Sequence, residues 1–103
     1  MSNIMRFIVV KTTADKAAEI ERLWRQECGP LMLKRPGCLR EELLRCIEEP
    51  GEYISVSEWE SAQAIEAYLA SPEHQEIKRH TRGVTGMAAT VKTYEVMSEK
   101  DKR

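Results

Sequence analysis

The chain has 103 residues, of which 42% are hydrophobic and 32% charged, a length and composition typical of one compact domain. Its 16 basic and 17 acidic side chains give a formal net charge of -1, which argues against nucleic acid or an anionic membrane as a partner. The longest apolar run covers only residues 7–10, and no secretory pattern precedes it, so a cytoplasmic protein without a membrane span is expected.

The cysteines Cys28, Cys38 and Cys46 form an odd-numbered set without a Cys-x-x-Cys pair. This spacing indicates neither a disulfide framework nor a zinc site. No carboxylate pair at metal spacing and no Gly-rich phosphate loop occurs in the sequence. We therefore expect reduced, buried thiols that act as small apolar groups, and no metal site.

The first predicted element is a strand over residues 4–12, which has apolar residues at both alternating positions and so is expected to be buried on both faces. A helix follows from near Ala14. Gly29-Pro30 interrupts it, because proline removes a backbone donor and crowds the preceding turn, so a kink or a restart is expected there. The helix presents an apolar stripe at spacings of three and four, made of Ala17, Ile20, Trp24, Cys28 and Leu31.

Two strands are predicted next, over residues 38–47 and 53–59, and the polar turn 48–52 joins them into a hairpin. The second strand alternates well. One face of this strand carries two serines between two aromatic residues, which makes it unusually polar. The residues of this face are Tyr53, Ser55, Ser57 and Trp59.

Ser61 and Ser71-Pro72 have the residue types of helix starts, so two further helices are predicted. A last strand is predicted over residues 87–97, and the charged segment 98–103 is expected to be disordered. Tyr68 would lie on the first of these helices, and the second would carry His74, Ile77 and His80.

The element order β-α-β-β-α-β predicts an α+β, ferredoxin-like domain over residues 1–97, with helices on one face of a four-stranded antiparallel sheet. The opposite sheet face would then be open to water, although the first strand has large apolar residues on both sides. The economical interpretation is a second copy packed sheet to sheet in a twofold homodimer.

The sequence resembles the antibiotic biosynthesis monooxygenase family of the dimeric α+β barrel superfamily, from Arg6 to Val96. The resemblance implies this fold. Members of the family include small oxygenases that oxidise quinols or polycyclic phenols without metal or flavin. It is carried by Pro36-Gly37-Cys38 at the entry to the second strand, Glu58-Trp59-Glu60-Ser61 at the end of the third, residues 62–69 followed by Ser71-Pro72-Glu73-His74, and Tyr94-Glu95-Val96.

In such oxygenases the pocket lies between the helices and the sheet, so the resemblance implies an aromatic small-molecule substrate and no cofactor. A base must deprotonate the phenol, and polar groups must hold the anion. By intrinsic pKa the base is His80, with His74 as the alternative. The other predicted site residues are Trp59 and Tyr68 as aromatic walls, Ser55 and Ser57 as hydrogen-bond donors, and Arg82 or Arg79 as the anion stabiliser.

Other interpretations stay open at this point. Trp59 can be a core anchor, His80 can belong to a solvated basic helix face, and His74 can lie exposed beside a helix cap. The whole chain can be a non-catalytic small-molecule-binding or stress-response dimer of the same fold. Haem degradation, known in a related branch, is disfavoured because its characteristic asparagine, tryptophan and histidine correspond to Phe7, Tyr68 and Lys78.

Overall fold

The computed structural model describes residues 3–82, 84 and 87–98. Within them the strands are β1 (Ile4–Lys11), β2 (Cys38–Arg45), β3 (Glu52–Trp59) and β4 (Ala88–Glu95), and the helices are α1 (Ala17–Leu23), α2 (Gly29–Leu33), α3 (Ala62–Leu69) and α4 (Pro72–Arg82). The strands form one antiparallel sheet in the order β2-β3-β1-β4. This is the ferredoxin-like α+β fold expected from the sequence. Residues 99–103, most of the predicted tail, lie outside the described part.

The helices α1 and α2 are two parts of one bent helix. They are joined by a wider π turn over Trp24–Cys28, in which the Gly29 N–H donates to the Trp24 carbonyl. Pro30 has no N–H to donate, so the hydrogen-bond ladder is widened in the turn before it, where the sequence predicts a kink. The buried stripe therefore continues to Met32, with Leu31 at its margin; its other buried members are Ile20, Trp24 and Cys28.

The hairpin of β2 and β3 has its turn where the sequence predicts it, although β2 ends at Arg45, before the predicted end at residue 47. Gly51 in this turn has φ +89°, and a Cβ there would lie 2.4 Å from the Thr12 carbonyl oxygen. The Gly51 carbonyl also accepts a hydrogen bond of 2.9 Å from the Thr12 N–H. Only glycine fits this close approach, which fixes the end of β1 against the hairpin.

Both predicted serine caps are present. The Ser61 hydroxyl accepts a hydrogen bond of 3.1 Å from the Ala64 N–H at the start of α3. The Ser71 hydroxyl accepts one of 3.2 Å from the His74 N–H and donates one of 2.6 Å to the Tyr68 carbonyl, which links the end of α3 to the start of α4. These bonds satisfy backbone groups that a helix terminus leaves unpaired.

The helices cover one face of the sheet, and the core lies between the helices and this face. Register pairs Arg6 with Ser57 and Ile8 with Ser55, so the serine face of β3 points toward the helices. The other face carries apolar side chains around a groove of about 780 Å³ that no described helix covers, lined among others by Met5, Phe7, Val9, Ile54 and Tyr94. None of the described helices is long and apolar enough to cross a membrane.

The cysteines are free thiols, but the expected burial holds only for Cys28, because Cys38 and Cys46 are partly exposed. Cys28 is buried, and desolvation raises its pKa to about 12. Cys38 is partly buried, and desolvation raises its pKa to about 11. The reactive thiolate form of both is therefore disfavoured at neutral pH.

Candidate functional site

A cavity of about 180 Å³ lies between the bent helix, α4 and the sheet. It combines polar groups from three different elements with an apolar wall. Arg6 comes from the middle of β1, Tyr68 from the last turn of α3, and His74 from the first turn of α4. The apolar wall includes Ile8, Trp24, Met32, Ile77 and Val91.

The aromatic residues are packed in a row from the core to the cavity. The Trp59 ring lies 5.0 Å from the Tyr68 ring, and the Tyr68 ring lies 4.9 Å edge-on from the His74 imidazole. Trp59 is 0% exposed and supports Tyr68 from behind, while Tyr68 and His74 line the cavity itself. The structure thus brings three of the predicted site residues together, with Trp59 in a supporting position.

The two predicted serine donors are already engaged within the protein. The Ser57 hydroxyl accepts a hydrogen bond of 2.9 Å from the Trp59 indole and lies 3.5 Å from the Arg6 carbonyl, to which it donates. The Ser55 hydroxyl donates to a Glu41 carboxylate oxygen at 3.2 Å. Both serines are buried, and they hold neighbouring side chains in place beneath the cavity.

His74 is held in one tautomer. Its Nδ1 lies 3.1 Å from the Leu69 carbonyl oxygen, which can only accept, so Nδ1 carries the proton of the neutral ring. The lone pair is therefore on Nε2. Burial lowers the pKa of His74 below its ordinary value, the charges of Lys78 and Arg6 act in the same direction, and the bond to Leu69 opposes them. The neutral form, which can accept a proton, is favoured at neutral pH.

Arg6 is the site residue that the sequence reasoning missed. It is 7% exposed, and its Nη1 is buried without a hydrogen-bond partner. The guanidinium carbon lies 5.7 Å from the centre of the Tyr68 ring. Burial lowers the pKa of Arg6, but arginine stays protonated at neutral pH. A charged residue in the middle of a strand expected to be buried on both faces was the available signal.

Tyr68 is held in its protonated form by the same surroundings. Desolvation raises the pKa of the Tyr68 phenol to about 12, although the Arg6 charge opposes the shift. The hydroxyl can therefore donate a hydrogen bond at neutral pH. Arg6 and Tyr68 are both donors toward any anion in the cavity.

His80 and Arg82 lie elsewhere. His80 lines a separate groove of about 380 Å³ between α1 and α4, where its Nε2 lies 3.5 Å from a Glu27 carboxylate oxygen and 3.6 Å from one of Glu76. Arg82 is exposed at the end of α4. The structure does not bring His80 and Trp59 to a common cavity.

A model of the antibiotic biosynthesis monooxygenase family matches residues 3–80 of the chain. The chain belongs to this family. A search of curated proteins found no match. This match confirms the family that motifs such as Pro36-Gly37-Cys38 indicate.

Solved structures with the same fold include an oxygenase and two proposed antibiotic biosynthesis monooxygenases. SnoaB from Streptomyces nogalater, a cofactor-independent oxygenase, aligns with a TM-score of 0.82 at 15% identity over 99% of this chain and 100% of its own. A proposed antibiotic biosynthesis monooxygenase from Deinococcus radiodurans aligns with a TM-score of 0.83 at 16% identity, over 97% and 98% of the two chains. Another from Bordetella bronchiseptica reaches 0.81 at 22% identity, over 95% and 100%. At these identities the likeness establishes the fold.

The haem-degrading branch of the superfamily matches the site no better in the structure than in the sequence. Phe7 lies on the sheet face opposite the cavity and packs 5.3 Å from Tyr94. Tyr68 and Lys78 line the cavity in place of the tryptophan and the histidine. Within the described residues, no group of three or more His, Cys, Asp or Glu side chains could hold a metal ion.

Glu41 is a partly buried polar group that the sequence did not single out. Its carboxylate accepts from Ser55 and faces a groove between α1 and β2. Desolvation raises the pKa of Glu41, and its charge contributes to the raised pKa values of Cys28 and Cys38. Glu41 pairs with Ser57 in the sheet and so shares the serine face, but it does not line the cavity that holds Tyr68 and His74.

Proposed function

We propose that this member of the family is a small cofactor-independent monooxygenase that oxidises a quinol-like or phenolic molecule in the cavity beneath α4. The observation that carries the proposal is His74, whose free Nε2 and lowered pKa provide a base in a cavity walled by aromatic residues. The cofactor-independent character is taken by analogy with SnoaB.

His74 is the proposed general base. Neutral imidazole with its proton on Nδ1 can take a phenolic proton at Nε2, and the bond to the Leu69 carbonyl becomes stronger when the ring gains a charge. From the sequence alone, His80 is the predicted base and His74 the alternative. The predicted role of His80 stays a prediction, to be tested below against His74.

Arg6 and Tyr68 are the proposed anion stabilisers. A phenolate formed by proton transfer to His74 would lie in the cavity that the buried guanidinium and the protonated phenol line. Fixed donors in a site shielded from water stabilise a developing negative charge more than water does. Trp59, bonded to Ser57, keeps the Tyr68 ring in position from behind.

The reaction balances without an external reductant. One quinol and one O₂ give one hydroxyquinone and one water. The phenolate passes an electron to O₂, the two radicals combine to form a carbon–oxygen bond, and the resulting hydroperoxide breaks its O–O bond as water leaves. The quinol supplies all four electrons, two from its conversion to the quinone and two from hydroxylation of the ring carbon.

Oxygen uptake with a panel of quinols tests the proposal. We expect turnover by the unaltered protein and a loss of about 100-fold or more in His74→Ala, the range of general-base contributions. His80→Ala is the matched control on the same helix and should retain activity. No turnover above the blank would contradict the function, and a loss confined to His80→Ala would reverse the assignment of the base.

A non-catalytic binding dimer with the same cavity is the rival function that the sequence leaves open. It predicts that a quinol or a quinone binds without any oxygen uptake. Identification of a molecule retained through purification gives a second discriminating observation, because a tightly held compound that O₂ cannot oxidise favours binding over turnover.

The homodimer is also a proposal. The open face of the sheet has an apolar groove around Phe7, and Tyr94 at its side is 51% exposed. A second copy packed on this face would remove these side chains from water. Light scattering after size exclusion should give twice the mass of 11.9 kDa, and Phe7→Glu should give the monomer. A monomer at micromolar concentration for the unaltered chain would contradict the proposal. The cytoplasmic location stays a prediction.

A further inference from the structure

Arg6 is a buried cation for which the described residues provide no charged partner. It lies in the centre of β1, where its register neighbours are Ser57 on β3 and Thr93 on β4, neither of which carries a charge. Within residues 3–82, 84 and 87–98, no carboxylate forms an ion pair with it. Its Nη1 is shielded from water and makes no hydrogen bond. Burying a charge without a partner is costly, which makes this arginine unusual for a purely structural residue.

The other groups that line the cavity do not compensate this charge. Lys78 is basic, His74 is neutral or positive, and Tyr68 is protonated. The Tyr68 ring gives the guanidinium one partial partner through a cation–π contact of 5.7 Å. Glu41, which influences Tyr68 electrostatically, is bonded by Ser55 and does not line the cavity. The lining of the cavity is therefore electropositive, and it includes a hydrogen-bond donor without an acceptor, Nη1 of Arg6.

The size of the cavity limits the ligand. Its volume is about 180 Å³. An apolar protein cavity of roughly 150 Å³ accommodates benzene, so the volume fits a single ring with small substituents. The Tyr68 ring and the side chains of Trp24 and Met32 provide a surface for such a ring.

We propose that the cavity binds a single-ring quinol that carries a carboxylate, with the carboxylate on Arg6 and the ring against Tyr68. A planar guanidinium matches a carboxylate geometrically and can bond it through two parallel N–H groups. The carboxylate neutralises the buried charge, and the ring hydroxyl remains for His74. This inference rests on the proposed function for the oxidation of the ring, whereas the binding step itself needs no turnover.

Anaerobic calorimetry with two matched ligands tests the proposal, with 2,5-dihydroxybenzoate as the acid and its methyl ester as the neutral form of the same ring. We expect the acid to bind the unaltered protein about tenfold or more tightly, since bonds to charged groups are among the stronger ones. The larger acid 1,4-dihydroxy-2-naphthoate should bind more weakly than the benzoate. Equal affinities for acid and ester, or a naphthoate that binds as tightly as the benzoate, would overturn the assignment.

Two variants locate the effect. Arg6→Met should bind acid and ester equally, because it keeps an apolar chain of similar length and removes the charge. Arg22→Met on the exposed face of α1 removes the same charge outside the cavity and should keep the preference for the acid. A preference that survives in Arg6→Met would overturn the role of Arg6. If Arg6→Met does not fold, the comparison of acid and ester on the unaltered protein still decides the proposal.

The outcome separates this inference from the proposed function. Binding of the acid with the expected preference but without oxygen uptake in air would support the ligand class and contradict the monooxygenase. Oxygen uptake that is equally fast with the acid and the ester, at equal affinities, would support the monooxygenase and contradict the ligand class.

Discussion

Each of the two sides of α4 carries one histidine. The neighbours of these two histidines differ in charge. His74 touches an aromatic ring and a backbone carbonyl in a cavity that no carboxylate of the described residues lines. His80 lies between the carboxylates of Glu27 and Glu76 in an outer groove. The Leu69 carbonyl fixes the tautomer of His74, and burial lowers its pKa, so its ring is neutral at neutral pH. The comparison teaches that a histidine's partners, more than its residue type, determine whether it can serve as a base.

The helical geometry explains why both histidines cannot face the same cavity. Residues six positions apart on an α-helix are turned by about 120° relative to each other. Ile77 lies between them, about 60° from each, and is buried. One histidine must therefore lie on the sheet side of this buried position and the other on the outer side.

Replacement of Tyr68 tests the cavity side and has the largest expected effect. Tyr68 packs between Trp59 and His74 and under Arg6, so Tyr68→Ala should lower the free energy of unfolding by about 3–5 kcal/mol, as for other buried aromatic residues. His80→Ala on the outer side should change it by less than about 1 kcal/mol. Chemical denaturation measures both. Equal losses would mean that the two sides of α4 are packed alike.

Much of the fold could be predicted from the sequence because local signals determine it. Alternation in β3 and the Ser61 and Ser71 caps each have a single interpretation in terms of backbone geometry, and the proline at position 30 leaves only a kink or a restart of the helix. The end of β2 was less accurate, because the strand is predicted to reach residue 47 and ends at Arg45. The end of the strand depends on its pairing with β3, where the last pair is Arg45 with Tyr53, and this has no signature in β2 alone.

The site was less predictable, because it depends on which helix side faces the sheet. Ile77 lies midway between the histidines, so the apolar pattern of α4 fits either phase equally well. The ranking of His80 above His74 rested on the intrinsic pKa of histidine, whereas the basic run around His80 favoured a solvated helix face. Arg6 was readable as an exception within an apolar strand, but its partner Tyr68 comes from α3, and only tertiary structure brings the two together.

The two serine caps give a matched pair for the next prediction. Ser61→Ala and Ser71→Ala should each cost about 1 kcal/mol of stability, because each removes the acceptor for a free helix N–H. Only Ser71 is bonded to the backbone of both Tyr68 and His74, so only Ser71→Ala should also weaken ligand binding in the cavity. Denaturation together with calorimetry measures this split. An equal effect of both variants on binding would show that the cap does not position His74.

The next prediction concerns the dependence of the free energy of unfolding on pH, to which His74 contributes. Because burial lowers the pKa of His74 below 6.5, the unfolded chain binds a proton at this residue more readily than the folded one. The contribution of His74 to stability is thus complete above pH 6.5 and is lost as the pH falls through the folded pKa. Denaturation between pH 5 and pH 8 should show this loss, and His74→Gln should reduce it. An unchanged slope in the variant would contradict the lowered pKa.

The smallest expected effect belongs to the outer side. The side chains of Glu27 and His80 are 48% and 30% exposed, so solvent screens their attraction. Glu27→Gln should therefore change stability by less than about 1 kcal/mol and leave ligand binding unchanged, as measured by denaturation and calorimetry. A large loss of binding in this variant would connect the outer groove to the cavity through α4. It would then restore His80 as a candidate base, because its partner carboxylate would be needed for the function of the site.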